Sequence, residues 1–294
     1  MMSTSQLQSA SQLQSQPSSL LAHADEILTR GYTVIKGVLT PEQVACALAA
    51  LQKQFDHEIR FSPKELRNEE HQISFCLPAK DKVFRQLALV PDVLRLVRSL
   101  VGSECIVGAF NGYTTQPYGP KQELHVDLNT AKGLLASVLV IFVLDDFTRA
   151  NGCTRVVPFS QHPDLPERAY LVEGDHWEEK AVYLEAPAGS IIAFDTALIH
   201  AASENQTAQL RRALHIQYCR WWVRPQWDFA LSMPEHVKAG LTEEENKLFA
   251  IDTHPWQLDR LYTKAKRVRP PNFFDYYTTR LRLMLSAWHG KKPK

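Results

Sequence analysis

Leu134-Leu135-Ala136-Ser137-Val138-Leu139-Val140-Ile141-Phe142-Val143-Leu144 is an almost uninterrupted apolar run. It is far shorter than the ~20 residues that span a bilayer. Turn residues separate it from further apolar runs at 105–114, 153–158, 181–185, 190–194 and 212–223. Short runs punctuated by turns, with no helices alternating between them, predict an antiparallel sandwich or barrel rather than a parallel α/β sheet.

Helical patterns flank this β-rich middle. Leu20, Leu21, Ala24, Ile27 and Leu28 recur at helical spacing and Gly31 closes that helix. Tyr32-Thr33-Val34-Ile35-Lys36 reads as a short strand. Thr40-Pro41-Glu42-Gln43 carries the marks of a helix start, with Thr40 as N-cap, Pro41 at the first position and Gln43 at the capping-box position. Pro91 opens another helix through Leu94, Val97 and Val101, and helical composition returns after Trp227. With no Gly-, Pro- or Ser-rich linker between 20 and 294, one domain is expected there. Residues 1–19 are mostly Ser and Gln, with Ser-Gln-Leu-Gln-Ser at both 5–9 and 11–15. Too little apolar surface is available there to offset ordering entropy, so disorder is expected.

Composition narrows the function classes. A net charge of +1 gives no sign of a nucleic-acid or membrane-surface partner. Five cysteines, scattered and without CxxC spacing, read as reduced intracellular thiols. Neither a secretory signal nor a Ser-Lys-Leu terminus is present, which makes the cytoplasm the default. A monomer and a homodimer are equally open.

The chemistry gathers at His125-Val126-Asp127, followed by His200 and then Arg211. On a strand, side chains two residues apart point to the same side. His125 and Asp127, joined by one distant histidine, would supply three ligands to one face of a metal and leave the opposite positions open. That is the 2-His-1-carboxylate arrangement of non-haem Fe(II) oxygenases. His200 is chosen from 11 histidines because it follows a turn and buried strand, Gly189-Ser190-Ile191-Ile192-Ala193-Phe194. His215 and His162 have no Arg at the right distance downstream. Arg211, eleven residues after His200, offers a guanidinium fork for a dicarboxylate cosubstrate. The set points to an Fe(II)- and 2-oxoglutarate-dependent oxygenase using O2.

The segments Gly31–Glu42, His125-Val126-Asp127, Asn151–Pro158 and His200–Arg212 resemble, in order and spacing, the phytanoyl-CoA dioxygenase superfamily. The resemblance covers about residues 25–225 and implies a double-stranded β-helix (jelly-roll, cupin-like) core holding Fe(II) and 2-oxoglutarate. It also selects Arg211 over Arg212 as the cosubstrate anchor, leaving Arg212 to a surface salt bridge. Two departures, Pro158-Phe159-Ser160-Gln161-His162 in place of Pro-Gly-Ser-His and Ala202 in place of Ser, bear on secondary cosubstrate contacts rather than on the metal triad.

Strand parity extends the pocket. If Arg211 points inward, Ala213, His215 and Gln217 share its face, as pocket lining or as ordinary core. Asn111 and Tyr113 share a face of the preceding strand. Gln122, three residues before His125, is either a cosubstrate hydrogen-bonding group or a plain loop glutamine. Trp221, Trp222 and Trp227 are expected in the core or a pocket lid rather than as a nucleic-acid stacking set. Lys264, Lys266, Arg267 and Arg269 read as a solvated helix face rather than an anion site. The expected reaction is hydroxylation or desaturation of a small-molecule metabolite in a tailoring or catabolic role. Alternatives are a cupin-like metal enzyme without 2-oxoglutarate and a non-catalytic binding protein of the same fold.

Overall fold

The computed structural model describes residues 17–61, 71–127, 133–161 and 175–251. The chain divides into two compact units, Met1–Asp252 and Thr253–Lys294, and every described residue lies in the first. Two antiparallel sheets form a jelly-roll core. Strands β1 (Tyr32–Ile35), β2 (His71–Ser74), β3 (Ile106–Thr115), β4 (Ser137–Val143), β7 (Ile191–Asp195) and β9 (Arg211–Cys219) make the larger sheet, in the order β1-β7-β4-β9-β3-β2. Strands β5 (Thr154–Val156), β6 (Val182–Leu184) and β8 (His200–Ala202) make the smaller, in the order β6-β5-β8.

The apolar run quoted at the outset becomes β4, and its continuity has a structural cause. Val138, Val140 and Phe142 pack into a core shared with the helices, whereas Leu139, Ile141 and Val143 pack into the core between the sheets. In β7, Ile191 and Ala193 likewise face the helices while Ile192 and Phe194 face the smaller sheet. A strand covered on both sides has no reason to alternate apolar with polar residues. Each such side chain contributes roughly 1.5–3 kcal/mol by leaving water.

The helix layer follows the expected signals. α1 (Pro17–Arg30) starts three residues before the first periodic position, α2 (Pro41–Phe61) follows, and α3 (Lys82–Ala88) and α4 (Pro91–Val101) complete the layer. The Thr40 capping box forms: Thr40 N donates to Gln43 Oε1 (2.9 Å) and Gln43 N to Thr40 Oγ1 (3.3 Å). Downstream lie α5 (Asp175–Lys180) and the short helices α6 (Phe229–Ser232), α7 (Glu235–Lys238) and α8 (Glu243–Leu248), the last opened by a second capping box at Thr242. Among the described residues no helix is long and apolar enough to cross a membrane.

Some expectations need correction. The run 212–223 ends as a strand at Cys219, because Val223 N donates to Arg220 O (2.9 Å) and closes a turn. Strands β2 and β8 and helices α3 and α5 had no clear sequence signal; at three or four residues, the strands are too short to show a period. The Ser/Gln repeats, Arg280–Leu285 and the basic residues at 264–269 lie outside the described residues.

Gly189 and Gly37 both adopt positive φ (+85° and +67°), but for different reasons. A Cβ on Gly189 would lie 2.6 Å from the Leu39 carbonyl oxygen, whereas one on Gly37 meets open space. Gly37→Ala should therefore cost about 1–2 kcal/mol of strain alone. Gly189→Ala adds a backbone clash and should cost at least twice as much. Chemical denaturation checks this, and equal losses would mean that close approach is not what Gly189 provides.

Candidate active site

The three candidate ligands are positioned by backbone before their side chains come into play. His125 N donates to His200 O (3.0 Å) and His200 N to His125 O (2.9 Å), a reciprocal antiparallel pair that adds His125 to the edge of β8. Asp127 N donates to Thr196 O (3.0 Å) in the turn leaving β7. Ser160 Oγ accepts from Ile199 N (2.7 Å), just before His200.

The side chains complete the convergence. Nδ1 of His125 lies 2.9 Å from Glu123 O, and Nδ1 of His200 lies 2.9 Å from Leu198 O. A carbonyl can only accept, so each Nδ1 carries the proton and each Nε2 presents its lone pair. The Nε2 atoms stand 3.9 Å (His125) and 3.6 Å (His200) from the Asp127 carboxylate oxygens. All three ligand atoms lie within 4.8 Å of one another, a group that could hold a metal ion. His200 is buried against the Phe194 ring, and burial lowers its pKa, which favours the neutral, ligating form.

The group opens into a cavity of about 440 Å³ lined by both sheets and by the segment after β9. Arg211 faces it. The guanidinium is 4% exposed, donates to Thr115 Oγ1 (2.5 Å) and lies 4.4 Å over the Phe147 ring. Its Nε has no partner among the described residues, and no carboxylate there pairs with it. Burial of the charge lowers its pKa to about 10. It is still a cation at neutral pH, and a buried cation without a counter-ion is costly unless a ligand supplies one. The donor set thus fits a divalent metal, and the unpartnered cation fits a carboxylate arriving from outside.

Strand parity came out as expected. Arg212 points the other way and makes a two-pronged pair with Asp145, Nε to Oδ2 at 2.8 Å and a terminal nitrogen to Oδ1 at 2.7 Å. Ala213 is buried in the inter-sheet core, and His215 and Gln217 line the cavity with Arg211. His215 lies between Asn111 and Ile141 in register and stacks on Tyr113 at 4.3 Å. Its buried Nε2 has no partner among the described residues. Burial, then the Arg211 charge, lowers its pKa to about 3, so it is neutral in working conditions.

Gln122 and Asn111 also line the cavity, each with its carbonyl already engaged. Gln122 Oε1 accepts from Ala202 N (3.0 Å). Asn111 Oδ1 accepts from Cys76 N (3.2 Å) and Trp227 Nε1 (2.9 Å). Each therefore keeps its amide NH2 as the group left for a ligand. Trp227 supports the pocket, but Trp221 and Trp222 are 43% and 49% exposed, which excludes the core for them and leaves the other expected setting, a pocket lid, open.

Sequence reasoning gave no role to Thr115 or Arg155. Thr115 continues the Asn111–Tyr113 alternation by one step and could have been found that way. Arg155 is an arginine in an apolar strand run, 1% exposed. It donates to Ala202 O (2.5 Å), Gln122 O (2.6 Å) and Glu178 Oε1 (3.0 Å), which ties β8 to the segment leading into His125.

A model of the family described as phytanoyl-CoA dioxygenase (PhyH) matches residues 28–213, a span that includes the candidate triad and Arg211. A multifunctional dioxygenase of Penicillium brasilianum is 28% identical over 78% of this chain and 83% of its own length. A dioxygenase of Aspergillus fumigatus is 27% identical over 78% of this chain and 75% of its own. Among solved structures, the epimerase SnoN in complex with Fe3+, α-ketoglutarate and nogalamycin RO shares the fold, with a TM-score of 0.60 at 19% identity over 71% of this chain and 88% of that one. With the family match covering more than half of the sequence, this chain is a member of the phytanoyl-CoA dioxygenase (PhyH) family.

Proposed function

We propose that this protein is an Fe(II)- and 2-oxoglutarate-dependent oxygenase that hydroxylates or desaturates an unactivated C–H bond of a small-molecule metabolite. One observation carries the reading: the buried Arg211 cation, with no carboxylate partner among the described residues, faces the same cavity as His125, Asp127 and His200. Family membership and the fold shared with an iron- and α-ketoglutarate-bound enzyme support it.

In this reading His125, Asp127 and His200 would hold Fe(II) through two imidazole Nε2 atoms and one carboxylate, the donor set of non-haem iron oxygenases. Arg211, oriented by Thr115, receives the distal carboxylate of 2-oxoglutarate. The NH2 groups of Gln122 and Asn111 are further donors to the bound molecules. When bound, iron, 2-oxoglutarate and O2 supply the oxidation, in which R–H becomes R–OH with release of succinate and CO2, or two hydrogens leave the substrate as water. The chain's own work is placement: it holds the ligands still and keeps His215 neutral, and the wall formed by both sheets shields the reacting carbon from bulk water.

Three outcomes test this reading. Purified protein should take up one Fe(II) per chain under anaerobic titration, and His200→Ala should lose it, because three ligands leave no spare. Stoichiometric tight iron in that variant would move the site, with His215 the first alternative. Arg211→Ala should keep its iron yet weaken 2-oxoglutarate binding at least tenfold by calorimetry, since a charge-assisted pair contributes roughly 1.5–3 kcal/mol. Arg212→Ala, which breaks only the Asp145 pair, should change that affinity little, and the reverse pattern would put the anchor one residue along. Finally, Asp127 fills the third ligand position and leaves chloride no vacancy. Incubation with metabolite pools in high chloride, read by mass spectrometry, should give oxygenated or dehydrogenated products with stoichiometric succinate. A chlorinated product would sink the assignment.

A further inference from the structure

The cavity mouth carries a second arginine with a different setting. Arg224 lines the cavity, is exposed, and has no charged partner among the described residues. It lies beyond residue 213, outside the span that the family model matches. An exposed arginine on a loose loop would mean little, but this one sits on a short segment held at both ends. At one end Arg220 N donates to Ala136 O (2.9 Å) and Arg220 Nε to Leu135 O (2.8 Å), with the Arg220–Val223 turn above them. At the other, Gln226 N donates to Gly108 O (2.8 Å) and Trp227 Nε1 to Asn111 Oδ1 (2.9 Å). Gly108 falls at the register shift between Val107 and Ala109 in the β3–β9 pairing, a bulge that leaves its carbonyl free to turn toward this segment. Pro225 follows directly and biases Arg224 toward an extended backbone.

Charge accounting gives the fixed cation a meaning, and this step rests on the function proposed above. Among the described residues that line the cavity, Asp127 is the one carboxylate and Arg211 and Arg224 are the only arginines or lysines. In the loaded site, the two charges of Fe(II) and the one on Arg211 are balanced by Asp127 and the dianion of 2-oxoglutarate. Arg224 is left over as a positive charge that no described cavity-lining residue compensates. The walls of the same cavity mix apolar Ile73, Ala109 and Val223 with neutral hydrogen-bonding groups of Asn111 and Gln217.

We infer that Arg224 reads a carboxylate on the substrate, so that the enzyme acts on amphipathic monocarboxylic acids that enter with the apolar body toward the metal and the acid group held at the rim. A complementary single charge cancels the excess at the mouth, and a guanidinium fork matches a carboxylate with two parallel hydrogen bonds. A multiply charged substrate would instead leave net negative charge at the rim.

The test uses anaerobic protein loaded with Fe(II) and saturating 2-oxoglutarate, and three probes, phenylpropanoate, cyclohexanecarboxylate and decanoate, each paired with its carboxamide. Binding is followed by ligand-observed NMR and by the charge-transfer absorption of the loaded site. At least one acid should bind roughly tenfold or more tightly than its amide. Arg224→Gln should abolish that preference, Arg224→Lys should keep part of it, and neither should alter 2-oxoglutarate affinity. Equal binding of acids and amides, no binding of any acid to the loaded protein, or a preference that survives Arg224→Gln overturns the inference. Failure of the unmodified protein to bind 2-oxoglutarate in the preceding step would instead strike the proposed function itself. The two failures are therefore separable.

Discussion

The site depends on one local constraint, the reciprocal backbone exchange between His125 and His200. Two hydrogen bonds of 3.0 and 2.9 Å join residues 75 positions apart in an isolated bridge, which sets His125 against His200 on β8. Asp127, two residues on, inherits its place from the same pairing and from Thr196 O. Remote groups protect this exchange. Buried Arg155 clamps Ala202 and Gln122 on one side of it, and Ser160 holds Ile199 on the other. A metal site would need its ligands held within a fraction of an ångström, and the backbone bonds to β8 and Thr196 give the segment 125–127 that support.

The second constraint is electrostatic. Arg211 is buried in the inter-sheet space, supported by a threonine hydroxyl and an aromatic face but by no carboxylate among the described residues. Nearby Arg212 has its acid, Asp145, on the outer side. A pair of adjacent arginines, one satisfied and one not, is more informative than either alone. A buried cation without a counter-ion is costly, and a ligand carboxylate would offset that cost. His215 responds to the same field: burial and the Arg211 charge keep it neutral, so it adds an uncharged hydrogen-bonding group to the cavity wall.

Stability and site share the same strands. β4 and β7 are covered on both faces, and this anchoring gives β9 a rigid neighbour on which to carry Arg211, His215 and Gln217. Helices α1, α2 and α4 cover the opposite face and take no part in lining the cavity. The segment after β9 differs in kind. It is pinned at a few backbone points, through Arg220 to Ala136 and Gln226 to Gly108.

Much of this was legible in the amino-acid order because the physics involved is local. Apolar runs and turns foretold the strands, Thr40–Gln43 announced a capped helix, and the HxD spacing put two ligands on one side of the chain. Period-two alternation separated Arg211 from Arg212, and the resemblance chose which one faces inward. Strand β8 was not legible, since three residues hold no period, nor was the exposure of Trp221 and Trp222, because composition does not say which side of a turn faces water. Arg155 and Arg224 show the limit most clearly: one is buried and donates to Glu178 and two backbone carbonyls, the other lines the cavity, exposed and without a charged partner among the described residues. Their identical side chains acquire different meanings only when long-range strand pairing decides what surrounds them. The sequence by itself determined which groups were available and on which face of each strand they lay; the tertiary structure decided which of them meet, because contacts between distant residues exist only once the sheets have closed.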